Sequence, residues 1–499
     1  MKQKRVSYAI ATALLIAPIF QTVLALNTIG WFTDLYAINN TTERELSQQN
    51  AATLTHLWKT PFQADTNVPD PNPNNGGNNI TPVIAASPVV DGNTIYVGSW
   101  NGYLYALDSG TGTLKWKQFL GVIYNTREGC NPATMGVEAA VQVYNNVVYV
   151  AAADSTHTPR SRNYSQGGKG FFYALDSANG DILWRTKVYS YQVHGDYANW
   201  ASTVIATVNG TPYAFIGSAS LCDNPLTRGQ IWKINLNTHT IDGTYYTVPA
   251  DQIGGGIWTT PAIDTTTDPP TMYVTSGTPT FDRSGLAASL IAINTQTLTT
   301  RASWTWVATR TGESDFLDED FGSSPTLFTT NNGTPMVIAG HKSGYVYAWP
   351  RKNLARGYIW KVQIDPAGEC PQCGEGVLST PVFGQNVPRI GNALFVGGGT
   401  DPTNTDVPGT VRALNPDNGR QIWKTSIAQN IIASMAYANG VLAYITTGSE
   451  QTLGIINATN GKIIKTFDLP SGSYATPTIA HGIIFTGDNS GQLNAFAAP

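Results

Sequence analysis

The chain has 499 residues and is rich in glycine (49), proline (29) and tryptophan (13), whereas only 12% of its residues are charged. This composition favours short strands joined by many turns over helices. The formal net charge is −4 at pH 7, and it becomes −7 when the three cations among the first five residues are removed. A chain with this charge is not expected to bind nucleic acid.

The N-terminus predicts a signal for export. Basic residues in MKQKR precede an apolar run from Val6 to Leu24, and small residues follow up to Ala25. This order is typical of a cleaved secretory signal. Because the run approaches the roughly 20 residues that a membrane span needs, an uncleaved anchor is the alternative interpretation. We expect a signal peptide at 1–25, an N-terminal extension at 26–53, and a secreted, periplasmic or extracellular mature protein.

A hairpin phrase recurs along the rest of the chain. It reads YLYALDSGTGTLKW at 103–116, FFYALDSANGDILW at 171–184 and VRALNPDNGRQIW at 411–423. Each copy predicts two strands around a tight turn rich in Asp, Asn and Gly. A second hairpin precedes each phrase, as in SPVVDGNTIYVG at 87–98. The repeat therefore predicts units of four strands.

Each unit ends on an aromatic residue, so the number of these residues gives the number of units. They are Trp58, Trp116, Trp184, Tyr246, Trp304, Trp360, Trp423 and Phe467. After Phe467 only 32 residues remain, enough for three strands, so the fourth strand is expected from 54–58. Joining the two ends of the chain removes an open sheet edge. We predict one all-β domain at 54–499, an eight-bladed β-propeller closed by an N-terminal outer strand, whose tryptophans pack between blades.

These repeats resemble those of the quinoprotein dehydrogenases, propellers that hold pyrroloquinoline quinone (PQQ) and usually Ca²⁺ at the axis. The family phrase AxDxxTGxxxW is matched by Ala106 to Trp116. The family's opening, with its spaced Trp, Arg, Asn, Leu and Trp, is similar to Trp31, Arg44, Asn50, Leu54 and Trp58. The resemblance covers 30–499, but the phrase marks the fold more strongly than the cofactor.

An acidic stretch, ESDFLDEDFGSSP at 313–325, carries the sharper match. The resemblance implies that Asp315 is the catalytic base and that Lys342, in AGHKSGY, contacts the cofactor. Oxidation of an alcohol by a quinone needs a carboxylate that accepts the hydroxyl proton and a cation beside the accepting carbonyl. The alternative interpretation is an ordinary loop ion pair, worth about 0–1 kcal/mol if it is exposed.

The expected metal ligands are incomplete. Thr278 stands where the family has a Ca²⁺-binding Asn, and the second-blade loop at 154–170 contains no Glu. Ca²⁺ prefers six to eight oxygen ligands. If Asp315 still binds a metal, Asp318, Asp320 or Glu138 is expected to complete the site, and Thr278 and Asp318 are expected near the cofactor. No CxxCH motif occurs, so covalent haem is not expected.

The four cysteines, Cys130, Cys222, Cys370 and Cys373, predict disulfides in an exported chain. Three pairings are possible. Cys370 and Cys373 form a CxxC motif, which alone is a weak signal for zinc. We therefore expect this motif to be a disulfide that staples a loop, with Cys130 and Cys222 as the other pair.

Two hypotheses for function follow. In the first, the protein is an exported PQQ-dependent alcohol dehydrogenase that acts on a small alcohol and passes electrons to an external acceptor. In the second, it is a non-catalytic propeller that binds a protein or surface partner through its loops. The positions of Asp315 and Lys342 favour the enzyme, whereas the incomplete metal ligands favour the scaffold.

Overall fold

The structure is a computed structural model. It describes residues 28–29, 39–40, 42–64, 80–124, 134–154, 169–188, 200–219, 226–278, 285–307, 320–368, 370–448 and 451–499. The predicted signal peptide at 1–25 lies outside these residues. Within the described part of the chain, no helix has the length and apolarity that a membrane crossing requires.

Eight antiparallel sheets form the eight blades, and each blade has four strands that follow one another from the inner edge to the outer edge. This confirms the prediction of an all-β, eight-bladed propeller. The strands of the first three blades are β4 (Val89–Asp91), β5 (Thr94–Gly98), β6 (Tyr103–Asp108) and β7 (Leu114–Phe119); β10 (Gln142–Tyr144), β11 (Val147–Asp154), β12 (Lys169–Asp176) and β13 (Ile182–Lys187); and β14 (Val204–Val208), β15 (Thr211–Ser218), β16 (Gln230–Asn235) and β17 (Thr240–Tyr246).

The next three blades repeat this order. Their strands are β18 (Ala262–Asp264), β19 (Thr271–Thr275), β20 (Ser289–Asn294) and β21 (Thr300–Thr305); β22 (Thr326–Thr329), β23 (Pro335–Gly340), β24 (Tyr345–Pro350) and β25 (Trp360–Gln363); and β26 (Val382–Val387), β27 (Gly391–Gly398), β28 (Gly409–Leu414) and β29 (Gln421–Ile427). Three short 3₁₀ helices accompany the sheets in the described ranges, at Ala51–Thr53, Leu354–Arg356 and Pro371–Cys373.

The last two blades close the ring. Blade seven has β30 (Ala436–Ala438), β31 (Val441–Ile445), β32 (Thr452–Asn457) and β33 (Ile463–Asp468), and blade eight has β34 (Thr478–Ala480), β35 (Ile483–Gly487) and β36 (Gln492–Ala497). The outer strand of blade eight is β3 (Thr55–Pro61), which pairs antiparallel with β36. The predicted closure by an N-terminal outer strand is therefore confirmed.

Short strands before and between the blades add to this frame. β1 (Thr28–Ile29) pairs with β4, and β2 (Asn39–Asn40) pairs in parallel with β30. A separate two-stranded ribbon joins β8 (Ile123–Tyr124) to β9 (Thr134–Met135). Because β4 and β30 are inner strands, β1 and β2 lie along the inner edges of blades one and seven.

The closing tryptophans join each blade to the next in a repeated contact. The Trp116 indole N–H donates to the Ser177 carbonyl at 3.0 Å, and a Cβ at Gly180 would come within 2.5 Å of the Trp116 ring. Gly180 also has a positive φ of 78°, which glycine adopts without strain. Trp58, Trp360 and Trp423 repeat this contact with the turns at 109–112, 416–419 and 458–461. The predicted packing role of these tryptophans agrees with the geometry.

Candidate functional site

A ring of hydroxyl side chains surrounds the axis where the inner strands begin. We call its eight positions, seven of which carry a hydroxyl group, the hydroxyl ring: Ser87, Ala140, Ser202, Thr260, Ser324, Thr380, Ser434 and Thr476. Backbone N–H groups donate to the hydroxyl of the next blade, as in Ser202 to Thr260 (3.1 Å) and Thr260 to Ser324 (2.9 Å). Thr476 continues the ring into the first blade by donating to Ser87 at 3.1 Å. These bonds fix the inner strands in one register around the axis.

An axial cavity of about 790 Å³ lies against the hydroxyl ring. Its wall also includes the eight residues that precede the hydroxyl ring by two positions, which we call the upper ring: Ala85, Glu138, Trp200, Trp258, Gly322, Leu378, Ile432 and Tyr474. Side chains two residues apart on an extended chain point the same way, so both rings face the axis. The cavity has the size and apolar character of a small-molecule site.

Aromatic side chains dominate one half of the upper ring. The Trp200 and Trp258 ring centroids are 6.5 Å apart, and the rings meet edge to face. Trp100, at the end of β5, lines the same cavity, as does Tyr474. Burial, followed by the charge of Glu138, raises the pKa of the Tyr474 phenol, which therefore stays neutral at physiological pH. This half of the wall offers π faces and few polar groups.

Glu138 is the single ionisable carboxyl among the described residues of the cavity wall, and the wall contains no described Lys or Arg. Its Oε2 accepts a hydrogen bond from the Trp100 indole N–H. Burial among apolar groups raises the pKa of Glu138 to about 7, although the bond from Trp100 opposes this shift. Glu138 therefore ionises near neutral pH, well above the range of an exposed glutamate.

Three of the predicted site residues meet beside this wall, next to Trp258. Lys342 Nζ lies 2.8 Å from Asp320 Oδ1, and the Thr278 hydroxyl lies 3.3 Å from Asp320 Oδ2. The side chains of Lys342 and Asp320 are 8% and 2% exposed, so this is a buried ion pair. The alternative interpretation concerned Asp315 and Lys342, and it stays a prediction because Asp315 lies outside the described residues. Lys342 Nζ also lies 5.7 Å from the Trp258 ring centroid.

Three connections between strands carry the side chains of this cluster. Asp320 precedes β22, Lys342 follows β23 in the same blade, and Thr278 follows β19 in the preceding blade. The Lys342 backbone N–H donates to the Asp320 carbonyl at 2.9 Å. A Cβ at Gly277 would come within 3.0 Å of Asp320 Oδ2, so a residue without a side chain allows this approach. Backbone contacts between these loops position the cluster.

The remaining predicted residues fall in two groups. Asp315, Asp318, Cys130 and Cys222 lie outside the described residues. Cys370 and Cys373 form the expected disulfide, and Gln372 between them lines the cavity. The Asn430 amide donates to the Pro371 and Gln372 carbonyls at 3.0 and 3.1 Å, which holds this loop against the ring.

The metal and cofactor roles remain predictions. In the part of the chain that the structure describes, no group of three or more His, Cys, Asp or Glu side chains could hold a metal ion. Asp320, a predicted metal ligand, has the Lys342 ammonium as its neighbour, and the two cations would compete for one carboxylate. The cavity fits a planar fused ring in size and aromatic lining, with Lys342 as the nearby cation that a carboxylated quinone needs.

The aromatic half of the cavity was missed at the sequence level. Trp200 and Trp258 stand two residues before Ser202 and Thr260, the residues that open their inner strands. Aligning the eight strand starts would have placed both tryptophans at the axis, together with Glu138. Trp100, in contrast, lies in the loop between β5 and β6 and carries no such signal.

His341 stands beside Lys342 and is fully buried. It packs against Trp306 and Phe321, with ring centroids 4.6 and 4.8 Å away, and its Nδ1 accepts the Ser343 N–H at 3.0 Å. Burial, with a further contribution from the charge of Lys342, lowers the pKa of His341 to about 3. The imidazole is therefore neutral at physiological pH and acts as a packing group.

This depressed pKa predicts acid lability. An unfolded chain binds a proton at this histidine below about pH 6.5, whereas the folded chain does so only near pH 3. The contribution of His341 to the free energy of unfolding is therefore fully present above pH 6.5. It falls by up to about 1.4 kcal/mol per pH unit as the pH drops toward 3. In denaturant titrations at pH 4.5 and 7, His341→Asn should lose less stability on acidification than the wild type. The exposed control His56→Asn should behave like the wild type, and equal acid sensitivity of His341→Asn would contradict the assignment.

Comparisons with known proteins agree with this architecture. The family model described as outer membrane protein assembly factor BamB matches residues 32–187 and 408–498. Among curated proteins, none matches this chain.

Solved structures share the whole ring. Quinohemoprotein alcohol dehydrogenase from Comamonas testosteroni has a TM-score of 0.65 at 15% identity, over 91% of this chain and 78% of that one. A europium-containing methanol dehydrogenase has the same TM-score and identity, over 91% of this chain and 95% of its own. BamB from Moraxella catarrhalis has a TM-score of 0.50 at 13% identity, over 89% and 97% of the two chains. The matched repeats and the shared eight-bladed ring support the resemblance to the quinoprotein β-propellers at the level of the fold.

Proposed function

We propose that this protein is an exported, PQQ-dependent alcohol dehydrogenase-like enzyme whose axial cavity holds the quinone and a small alcohol. The single observation that carries the proposal is the convergence of Lys342, Asp320 and Thr278 beside Trp258. These residues come from three separate loops and were selected by resemblance to the quinoprotein dehydrogenases. Their meeting next to Trp258, which lines the cavity, supports a shared role.

The chain's own groups have distinct parts in this proposal. Lys342 provides positive charge behind the cavity wall, next to Trp258, and Asp320 fixes its position through the ion pair. The indole of Trp258 offers an apolar face against which a planar ring can lie. The bound quinone would supply a hydride acceptor, and Asp315 would take the hydroxyl proton of the alcohol as general base.

The hydroxyl ring supports this function because its hydrogen bonds limit the motion of the inner strands that form the cavity wall. Its side chains are engaged with the backbone of neighbouring blades, so the cavity wall is built before a ligand arrives. A preformed wall lowers the entropic cost of orienting two reactants. The wall is largely apolar.

A steady-state assay tests the enzyme proposal. The purified protein would be incubated with PQQ and either Ca²⁺ or Eu³⁺, and dye-linked oxidation of methanol and ethanol would be followed. We expect turnover by the wild type and a loss of about 100-fold or more for Asp315→Asn, the range expected when a general base is removed. Asp406→Asn, an exposed acid on a loop away from the cavity, is the matched control and should retain full activity.

The opposite results would decide against the enzyme. Absence of turnover with either metal would reject the proposal, and full activity of Asp315→Asn would reject the assigned base. Asp406→Asn shows whether the removal of one negative charge by itself lowers the activity.

A second function, a non-catalytic propeller that binds a protein or surface partner, is favoured by two observations. The matching family model is described as an assembly factor, and the described cavity wall has no Lys or Arg to neutralise a tricarboxylate. If this function is correct, the purified protein should retain no PQQ after gel filtration, and pull-down from its host's envelope fraction should recover a protein partner.

A further inference from the structure

One charged side chain is set into an aromatic wall at the axis. The upper ring runs in blade order Ala85, Glu138, Trp200, Trp258, Gly322, Leu378, Ile432, Tyr474. In a ring of eight, Trp258 and Tyr474 occupy opposite blades, and Glu138 stands two blades from each. Trp200 fills the position between Glu138 and Trp258. One half of the wall is therefore acidic and aromatic, whereas the other half is aliphatic or small.

This combination suits a positive ligand. The faces of Trp and Tyr rings attract cations, and an aromatic cage around quaternary ammonium groups is a recurring use of that attraction. A carboxylate in low-dielectric surroundings interacts more strongly with a cation than an exposed carboxylate does. Glu138 has the Trp100 N–H as its donor, and the described residues that line the cavity include no cation to neutralise it.

The cavity wall also contains a buried hydrogen-bond acceptor that receives no hydrogen bond from the described residues. Asn489 lines the cavity, and its buried Oδ1 accepts no hydrogen bond from any described residue. Its amide group follows β35, in the blade adjacent to that of Trp100. A ligand N–H or O–H group would satisfy this oxygen, and leaving a buried acceptor unpaired costs about 1–3 kcal/mol.

We propose that the axial cavity contains a subsite for an organic ammonium ion of about the size of choline, formed by Glu138, the aromatic side chains of the upper ring and Trp100. The carboxylate neutralises the charge, and the indole and phenol rings contact the alkyl groups around the nitrogen. The cavity of about 790 Å³ is large enough for such an ion beside a planar ring system.

The subsite is argued from the cavity alone, and it can be tested without a cofactor. In combination with the proposed oxidation, and resting on that function, it identifies an amino alcohol as the substrate class. The hydroxyl group would then approach the Lys342 side of the cavity while the ammonium group lies at Glu138.

Direct binding tests the subsite. Choline would be titrated into the purified protein at pH 8 by calorimetry and by tryptophan fluorescence, with 3,3-dimethyl-1-butanol as the neutral compound of the same shape. We expect choline to bind about tenfold or more tightly than the neutral compound, and Glu138→Gln to remove most of this preference. The exposed control Asp468→Asn should bind choline like the wild type.

The pH dependence gives a second readout from the same titration. Among the residues that the structure describes, the groups that face Glu138 are the Trp100 indole, which does not titrate, and the Tyr474 phenol, which stays neutral. Choline affinity should therefore rise between pH 6 and 8 in the wild type and stay level in Glu138→Gln. A thermal melt confirms that the variant is folded.

Three results would overturn the subsite: no binding of choline, equal affinity for its neutral analogue, or unchanged choline affinity in folded Glu138→Gln. None of them bears on PQQ binding or on dye-linked turnover of simple alcohols. Conversely, failure of those assays leaves the choline titration fully interpretable. The two proposals can thus fail separately.

Discussion

Replacing Lys342 with methionine should lower the free energy of unfolding by about 3–5 kcal/mol, because it leaves the Asp320 carboxylate buried without its cation. The two side chains are 8% and 2% exposed and lie 2.8 Å apart, so water cannot take over the role of the lost ammonium group. Methionine keeps the apolar stem, which limits the change to the charge. Urea titration of the wild type and the variant measures the effect.

A double-mutant cycle separates the ion pair from the packing of the site. Asp320→Asn combined with Lys342→Met removes both charges, and this double variant should be more stable than Lys342→Met alone. The exposed control Lys352→Met should change stability by less than about 0.5 kcal/mol. A Lys342→Met variant as stable as the wild type would show that the pair is solvated and that the buried cluster is wrongly assigned.

The second large effect is expected at Trp116, where alanine should cost about 3–5 kcal/mol. The side chain is 7% exposed, packs against the turn at Gly180 in the next blade, and donates to the Ser177 carbonyl. Its removal creates a cavity between two blades. Chemical denaturation followed by far-ultraviolet circular dichroism measures the loss.

Two further variants distinguish packing from hydrogen bonding at this contact. Trp116→Phe keeps most of the apolar area and loses the N–H donor, and it should cost about 1–3 kcal/mol. Leu183→Ala, on the outer strand of the next blade and 52% exposed, should have almost no effect. If Trp116→Ala were as mild as Leu183→Ala, the view that tryptophans hold neighbouring blades together would be wrong.

The fold could be read from the sequence because its determinants are local. Each hairpin phrase contains a turn, an outer strand and the tryptophan that packs on the next turn, so one blade specifies its contact with the next. Trp58 and the missing fourth strand after Phe467 then indicated how the ring closes. The pairing of β3 with β36 follows from this count.

The site was predicted only where family motifs marked it. Lys342 and Asp320 lie in stretches that resemble the quinoprotein dehydrogenases, and the structure brings them together. Glu138 and Tyr474 are more than 300 residues apart in the sequence, and both line the cavity because the ring closes. No local pattern encodes that proximity, and it becomes visible only when the inner strands of all blades are aligned.

The buried charges near the sixth blade were missed for a similar reason. Asp401 contacts Arg412 at 3.1 Å and also accepts a hydrogen bond from Lys424, although each residue is unremarkable in its own segment. Asp365, from the preceding blade, accepts the Gly399 N–H at 2.8 Å, and burial raises its pKa well above the ordinary value. The ionisation of these buried side chains depends on desolvation and on contacts between segments that are distant in the sequence. The sequence pattern indicates neither of these.

Equilibrium dialysis of PQQ against the purified protein tests whether the axial cavity is a site for the quinone. With Ca²⁺ or Eu³⁺ present, we expect retention of about one PQQ per chain, quenching of tryptophan fluorescence, and loss of both signals in Trp258→Ala, because stacking on an aromatic ring contributes about 1–3 kcal/mol. Retention of no PQQ by the wild type, or equal retention by a folded Trp258→Ala, would contradict this expectation.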